Sequence, residues 1–406
     1  MENGQIAELT GWITETGLAG QSETATLGGF CERVVSFGLP LARANVIIDT
    51  LHPVYEGRAF TWKRQLKETA LSEYGRSPER SDRWEQSPFY RLEVSGESLL
   101  RRRLTAATEF EFPIFSELRA DGITEYIAVA NRFAAEGIIG AMDCVYSSWA
   151  TDAPHGFGDA DVAALSRLMP PFALAMKAAS LARVAATLVE TYLGRDAGRR
   201  VLEGRIARGI ADRIEAVLWF SDLRSYTRIS DSAGPEQIIP FLNDYADAII
   251  SAIHEQTGDV LKLMGDGILA IFTADNRGRA CDAALAAASN ARRAVAAVSQ
   301  YRAAQNLPTT DLYLGLHVGE VFYGNIGSRE RLDFTVVGPA VNEVSRIAGL
   351  CRSVDQPLLV SSAFASAIGE SKKLLVSVGR YALRGVGRPQ DLYTLDNVAD
   401  ACVEQS

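Results

Sequence analysis

The segment Asp259-Val-Leu-Lys-Leu-Met264, Gly265-Asp266-Gly267, Ile268-Leu-Ala-Ile-Phe272 leaves the chain the least freedom. Two short apolar runs flank a Gly-Asp-Gly turn, and Asp-Gly ranks just behind Asn-Gly as a hairpin signal. The expectation is an antiparallel hairpin with the Asp266 carboxylate at its tip. Upstream, Ala216-Val-Leu-Trp-Phe220 reads as a buried strand. It leads directly into Ser221-Asp222-Leu-Arg-Ser-Tyr-Thr227 and then a helical pattern from Pro235 to Glu255. Downstream come an Ala-rich helix over Arg279–Gln305 and strand runs at Leu312–Val318 and Glu320–Tyr323. Phe334-Thr-Val-Val337 then passes through Gly338-Pro339 into a helix beginning near Val341. This order predicts an α+β fold, a ferredoxin-like α/β sandwich, over residues 205–395.

Asp222 sits where a strand meets a turn, and Asp266 sits at a hairpin tip. In a ferredoxin-like sheet those strands can be neighbours, which brings the two carboxylates together. Like charges that close are costly unless a cation lies between them, so a divalent metal is the natural companion. Two metals bridged by two carboxylates suit in-line displacement at phosphorus. The turn after Asp222, opening a helix, offers backbone N–H groups as an anion site. Taken alone, an Asp in Gly-Asp-Gly is most often a plain turn residue.

The combination is more specific than its parts. Phe220-Ser-Asp-Leu-Arg-Ser-Tyr-Thr227, Leu261-Lys-Leu-Met-Gly-Asp-Gly267, Gly315-Leu-His-Val-Gly-Glu-Val321 and Asp333-Phe-Thr-Val-Val-Gly-Pro-Ala-Val-Asn-Glu-Val-Ser-Arg346 follow one another in order and spacing. In this the chain resembles the catalytic domains of class III nucleotide cyclases, of the bacterial adenylate cyclase type. The resemblance implies that Asp222 and Asp266, with the Leu223 carbonyl, ligate two Mg²⁺ or Mn²⁺ ions. It places the transition-state pair on Asn342 and Arg346, at i and i+4 on one helix face. There Asn342 orients the ribose and Arg346 neutralises charge on the phosphorane. It also implies a homodimer whose facing protomers share each site, and substrate contacts from Arg224, Ser225, Tyr226 and Thr227.

Base selection in the resembled family falls on Lys262 and Thr335. Lysine with threonine resembles adenylate cyclases, since adenine presents an acceptor at N1 and a donor at N6. Asp333, two residues from Thr335 on one strand face, can assist. The triphosphate-binding lysine of the family is replaced by Arg384 in Leu383-Arg-Gly-Val386; arginine holds phosphate, often bidentately. ATP is therefore the expected substrate. A guanylate cyclase and an inactive nucleotide-binding regulatory module are the alternatives. A diguanylate cyclase is set aside because Gly265-Asp-Gly-Ile268 lacks that family's turn, and no P-loop signature occurs.

The N-terminal half, residues 1–175, alternates patterns. Leu27–Leu41 is helical in spacing; Ala44–Asp49, Thr124–Ala130 and Gly137–Tyr146 are strand-like. Phe157-Gly-Asp-Ala-Asp-Val-Ala-Ala-Leu165 places Asp159 and Asp161 at a helix start. Strand, strand, polar loop, helix resembles a GAF-type sensory domain; an unrelated dimerisation domain is the alternative. Residues 176–204 read as a helical connector, with Leu165, Leu168, Leu174, Leu181, Val184, Leu188 and Tyr192 forming a stripe that either meets a second protomer or packs on its own domain. Pro170 and Pro171 are expected to interrupt it, and Gly194 and Gly198 to form a hinge into the catalytic part. Residues 396–406 form a tail.

A net charge of −9 argues against a general nucleic-acid binder. Five scattered cysteines, with no Cys-x-x-Cys pair, suggest neither a disulfide framework nor a zinc site. The most apolar long stretch, Ile123–Ala150, is broken by Arg132, Glu136 and Asp143, and the N-terminus lacks signal-peptide chemistry, so no membrane span and a cytoplasmic location are expected. The four histidines lie at no ligand spacing and read as surface or core residues. Tyr55, Phe60, Trp62 and Trp84 line either a ligand pocket or a core; what the N-terminal domain binds is open.

Overall fold

The computed structural model describes residues 1–66, 68–76, 82–105, 111–133, 139–140 and 142–396. The chain divides into two compact units, Met1–Leu188 and Val189–Ser406, with the boundary inside one long helix.

In the first unit the elements run α1 (Asn3–Leu18), α2 (Glu23–Ser36), β1 (Arg43–Asp49), β2 (Tyr55–Lys63), β3 (Ala70–Gly75), α3 (Asp82–Glu85), α4 (Pro88–Ser95), β4 (Leu99–Arg103), α5 (Pro113–Ala120), β5 (Glu125–Arg132), β6 (Cys144–Thr151) and α6 (Asp159–Leu193). The strands form an antiparallel sheet in the order β3-β2-β1-β6-β5-β4. One face buries Val46, Phe60, Trp62 and Trp149 against α1, α2 and α6. The other buries Tyr126 and Tyr146 with Phe89 and Phe115. Phe60 and Trp62 therefore belong to one core while Trp84 packs beside Phe89 and Tyr146 on the other side. The aromatic group read as lining either a ligand pocket or a core is split by the sheet, with Phe60 and Trp62 in one core and Trp84 beside the other. The helix expected over Leu27–Leu41 ends at Ser36, because Ser22 caps its start and Leu39 and Leu41 lead into β1. The strand expected over Gly137–Tyr146 begins at Cys144; residues 137, 138 and 141 lie outside the described residues.

Helix α6 starts where Asp159 and Asp161 predict, with Asp161 Oδ2 accepting the Gly158 N–H at 3.0 Å. It then runs unbroken through Pro170 and Pro171, contrary to expectation. Leu168, Met169, Phe172 and Ala173 are all buried on the sheet, and this packing holds the helix across the hydrogen bonds the prolines cannot make. Of the apolar stripe, Leu165, Leu168 and Val184 are buried in their own unit and Leu181 and Leu188 pack against the same core, whereas Leu174 and Tyr192 are exposed. By length and composition α6 is apolar enough to cross a membrane, which the 123–150 stretch is not; 33% of its most apolar window is buried.

The second unit comprises α7 (Arg195–Leu202), β7 (Ala211–Leu223), α8 (Tyr226–Ser232), α9 (Pro235–Glu255), β8 (Asp259–Met264), β9 (Gly267–Phe272), α10 (Arg277–Ala304), β10 (Leu312–Gly327), β11 (Leu332–Val337), α11 (Pro339–Val354), β12 (Leu358–Ser361), α12 (Ser362–Ala367), β13 (Leu375–Tyr381) and β14 (Gln390–Leu395). The run β7-α9-β8-β9-α10-β10 arranges its strands as β10-β7-β9-β8, neighbours antiparallel, which is the ferredoxin-like order. The sheet continues through β12, β14 and β13, with β11 folded back on β10. Alternate residues of β7 serve the two faces. Val217 and Trp219 join Phe241 of α9 and Ala284 of α10; Ala216 and Leu218 join Val344 of α11.

Three local expectations change. The two strand runs at 312–318 and 320–323 are one strand, β10, since Gly319 continues the pairing with β7. The hairpin closes at Met264↔Gly267, so its central residues are Gly265 and Asp266, with Gly265 at φ +68°. Glycine at the first central position is the primed-turn choice that matches strand twist, and it leaves Asp266 in ordinary backbone geometry. Gly194 and Gly198 are not a loose hinge. A Cβ on Gly194 would lie 2.4 Å from the Val260 carbonyl oxygen, and one on Gly198 would lie 2.9 Å from Glu190 Cα. They permit tight packing of α7 on β8 and on the last turns of α6, and Asp259 Oδ1 accepts the Arg195 N–H at 3.1 Å to cap α7. Cys31, Cys144, Cys281 and Cys351 are buried free thiols; Cys402 and the tail beyond Asp396 lie outside the described residues.

Candidate active site

Asp222 is the penultimate residue of β7, and Asp266 occupies the turn between β8 and β9. Because β9 pairs with β7 through Ser221↔Ile268, the turn folds over the end of β7 and delivers Asp266 to Asp222. The Leu223 N–H donates to Asp266 Oδ2 at 3.3 Å. Burial and the adjacent Asp266 carboxyl push the Asp222 pKa up to about 7. Two carboxylates facing each other at this cost, beside the Leu223 carbonyl, suit a hard divalent cation that completes its shell with water and phosphate oxygens. Among the described residues no group of three or more His, Cys, Asp or Glu side chains forms a cage that would hold a metal by itself.

The backbone after Asp222 differs from the anion cradle expected of it. The Leu223 N–H is engaged by Asp266, and the Arg224 N–H donates to the Asp311 carbonyl at 2.8 Å. Ser225 adopts left-handed geometry at φ +58° and makes no side-chain cap to α8, a helix of only seven residues. The Arg224 guanidinium lies over the Tyr313 ring, the Tyr226 ring stacks on Phe241 in the core, and Ser225 and Thr227 are exposed.

A second cluster forms across β8 and β11. Lys262 Nζ is ion-paired with Asp333 Oδ2. Asp333 and Thr335 share one face of β11, alternating with buried Phe334 and Val336. The same face carries Val337 and its cross-strand partner Phe322, both exposed, at 41% and 52%.

The third cluster is on α11. Asn342 is exposed and Arg346 half-buried, one turn apart. The Arg346 guanidinium lies against Gly385, where a Cβ would come within 3.2 Å of it, so the loop carrying Arg384 approaches Arg346. Beneath α11 sits a network that motif reading passes over. His317 is buried, with Nδ1 2.8 Å from Ser361 Oγ and Nε2 3.7 Å from Glu343 Oε2, and Glu343 Oε2 accepts from Gln390 Nε2 at 2.7 Å. Burial lowers the His317 pKa. The alternation of Gly315, His317 and Gly319 on one face of β10 is the sequence signal that could have found it.

Residues 211–397 match the family described as the adenylate and guanylate cyclase catalytic domain. An uncharacterized protein of Mycobacterium tuberculosis is 34% identical over 210 residues, 50% of this chain and 36% of that protein. An adenylate cyclase of Anabaena cylindrica is 36% identical over 157 residues, 38% of this chain and 30% of the other. The chain thus spans about a third of the length of these relatives. The crystal structure of the guanylyl cyclase Cya2 aligns with a TM-score of 0.41 and 28% identity, covering 46% of this chain and 93% of that one.

Proposed function

We propose, from the premise that residues 211–397 are an adenylate and guanylate cyclase catalytic domain, that this protein converts ATP to 3′,5′-cyclic AMP and pyrophosphate. The observation that carries the reading is the pairing of Asp222 with Asp266 at the end of β7, a carboxylate pair whose repulsion a cation relieves. Asp222, Asp266 and the Leu223 carbonyl would hold two Mg²⁺ or Mn²⁺ ions. When bound, these supply charge neutralisation for the triphosphate and acidify the ribose hydroxyl. The new bond forms between the ribose 3′-oxygen and the α-phosphorus, the bond to the pyrophosphate oxygen breaks, and the 3′-hydroxyl proton leaves. Asn342 orients the ribose, Arg346 offsets charge on the five-coordinate phosphorus, and Arg384, whose loop approaches Arg346, takes the leaving phosphates.

Preference for ATP rests on Lys262 and Thr335. The pairing of Lys262 with Asp333, beside Thr335, supports a pocket with a directed donor and a hydroxyl, as adenine requires. The exposed Phe322 and Val337 on the same face support closure of this pocket against a second copy of the chain, giving a homodimer with two equivalent shared sites. The sheet flanked by helices in Met1–Leu188 supports a GAF-like sensory or dimerisation unit ahead of the catalytic one.

The test is direct. Full-length protein with Mn²⁺ or Mg²⁺ should form cyclic AMP from ATP, resolved chromatographically, and at least tenfold less cyclic GMP from GTP, on the order expected for a polar base pocket. Asp222→Asn should fold and lose nearly all turnover. Preferential cyclic GMP formation would overturn the base assignment; a variant keeping more than about a tenth of the turnover would remove Asp222 from the metal site.

A further inference from the structure

The Gly315-Leu-His-Val-Gly319 run acquires no role in the chemistry above, yet it forms the floor on which α11 rests. A Cβ on Gly315 would lie 2.7 Å from the Ala348 nitrogen and 2.8 Å from the Val344 carbonyl oxygen, and one on Gly319 would lie 2.5 Å from Ala340 Cβ. Gly315 and Gly319 thus let the α11 backbone approach β10 directly. At positions 315 and 319 the floor offers no side chain to the helix, whose apolar grip comes instead from Ala216, Leu218 and Val321 around Val344 and from Leu359 and Leu392 around Ile347 and Cys351. The α11 N-terminus is not anchored by a cap, since Gly338 provides no side chain for one.

His317 stands between the two glycines on this floor, under α11. Ser361 Oγ accepts the Phe364 N–H at 3.1 Å and lies 2.8 Å from His317 Nδ1. The other ring nitrogen, Nε2, faces Glu343 Oε2 at 3.7 Å. Burial lowers the pKa of the ring, and the nearby Glu343 carboxylate opposes that shift. Glu343 Oε2 is also held by Gln390 at the start of β14, five residues beyond the Gly385 that touches Arg346. Glu343 is adjacent to Asn342 and three residues before Arg346.

We infer that Glu343 is a positioning residue. Held by Gln390 and facing buried His317, it adds a polar tie to the apolar packing of α11 and so aligns Asn342 and Arg346 with the Arg384 loop. This rests on the proposed roles of Asn342 and Arg346, and the experiment separates the two ideas. Purified full-length Glu343→Ala and Glu343→Gln are compared with wild type by hydrogen exchange of the α11 amides, by steady-state kinetics with Mn²⁺–ATP, and by the Mn²⁺-induced thermal shift. Glutamine keeps an oxygen for Gln390 Nε2; alanine does not.

The expected result is faster exchange across residues 339–354 in Glu343→Ala and near-wild-type exchange in Glu343→Gln. The alanine variant should lose about tenfold or more in kcat with KM changed less than about threefold, as a misplaced transition-state group does. The glutamine variant should recover most of that loss, and the Mn²⁺ shift should be unchanged in both because the carboxylate pair lies on other elements. Wild-type exchange in the α11 of Glu343→Ala overturns the inference whatever the protein's activity. So does a Glu343→Gln variant as impaired as the alanine one. If exchange accelerates as expected but Asn342→Ala retains full kcat, the polar tie stands and the catalytic reading of Asn342 falls.

Discussion

Replacing Asp266 with asparagine should make the metal-free protein more stable at pH 8 while abolishing turnover. The Asp222 carboxyl has a pKa of about 7 in the folded chain against an ordinary aspartate value of 3.8. A carboxyl whose folded pKa is raised binds its proton more tightly when folded. Its favourable contribution is therefore fully present below about pH 4 and is lost as pH rises through about 7; above that the charged pair is held together at a cost. If wholly felt, the gap between the two values amounts to about 4 kcal/mol. The Asp222 side chain is exposed, so solvent screening reduces this sharply, and part arises from burial that the substitution leaves in place. About 1 kcal/mol relieved by removing the Asp266 charge is a reasonable magnitude. Asparagine keeps a side-chain oxygen to accept the Leu223 N–H, so that hydrogen bond survives.

For a unit of this size, about 1 kcal/mol corresponds to roughly 2–4 °C in the melting midpoint. Calorimetric scans of chelator-treated wild type and Asp266→Asn at pH 8 and pH 5 provide the assay. At pH 8 the variant should melt about 2–4 °C above wild type. At pH 5 a proton on Asp222 has already relieved the pair, and the difference should shrink towards zero. Added Mn²⁺ should raise the wild-type midpoint and leave the variant nearly unmoved, since binding to the folded state alone stabilises by mass action. A variant that melts at or below wild type at pH 8 without metal would refute the idea that the two carboxylates strain one another.

Lys262→Glu with Thr335→Cys should lower ATP use and raise GTP use relative to it, because donor and acceptor are exchanged in the base pocket; an unchanged ratio of the two kcat/KM values counts against those positions. Mixing inactive Asp222→Ala with inactive Asn342→Ala should restore roughly a quarter of wild-type activity, since half of randomly exchanged dimers carry one intact site; demonstrable subunit exchange without recovery excludes shared sites. Gly194→Ala should lower the melting midpoint of the C-terminal unit by several degrees, about 2 kcal/mol or more, because φ is +87° and the Val260 carbonyl oxygen is 2.4 Å from the new Cβ. A melting curve unchanged by that substitution would return Gly194 to the status of a loose hinge.

Local pattern made the catalytic unit legible. The hairpin at 259–272, the helix from Pro235 to Glu255 and the strand ahead of Asp222 are each set by residues within a few positions of one another, and the strand order follows from their succession. What was not legible depends on partners distant in sequence. Pro170 and Pro171 predict a break that burial of Met169 and Phe172 overrides. Gly194 reads as freedom until Val260 is found against it. The N–H groups of Leu223 and Arg224 look available for phosphate until Asp266 and Asp311 are seen to engage them. Glu343 lies within the 333–346 motif without a role of its own there, because its neighbours His317 and Gln390 come from strands 26 and 47 residues away.

These long-range ties bear on how the site distributes its tasks. The carboxylate pair depends on the β7–β9 register, since a one-residue slip would send Asp222 to the opposite face of the sheet from its present one. That register is deeply fixed: Trp219, Ile268 and Ala270 are all buried at the pairing. Asn342 and Arg346 ride instead on α11, whose inner face packs on the sheet around Val344 and Ile347 and whose Glu343 is tied to Gln390. Lys262 belongs to a strand whose first residue, Asp259, caps α7 and whose Val260 carbonyl packs on Gly194. The residues expected to hold metal are thus built into a buried pairing inside the sheet, while those expected to read the base and steady the transition state sit on an edge strand and on a helix that polar contacts help to place. Weakening those contacts should therefore change specificity and turnover before it changes metal affinity. The Glu343 variants and the Gly194 variant, each measured for Mn²⁺ binding alongside turnover, place that ordering at risk: a loss of Mn²⁺ affinity as large as the loss of turnover in either would contradict it.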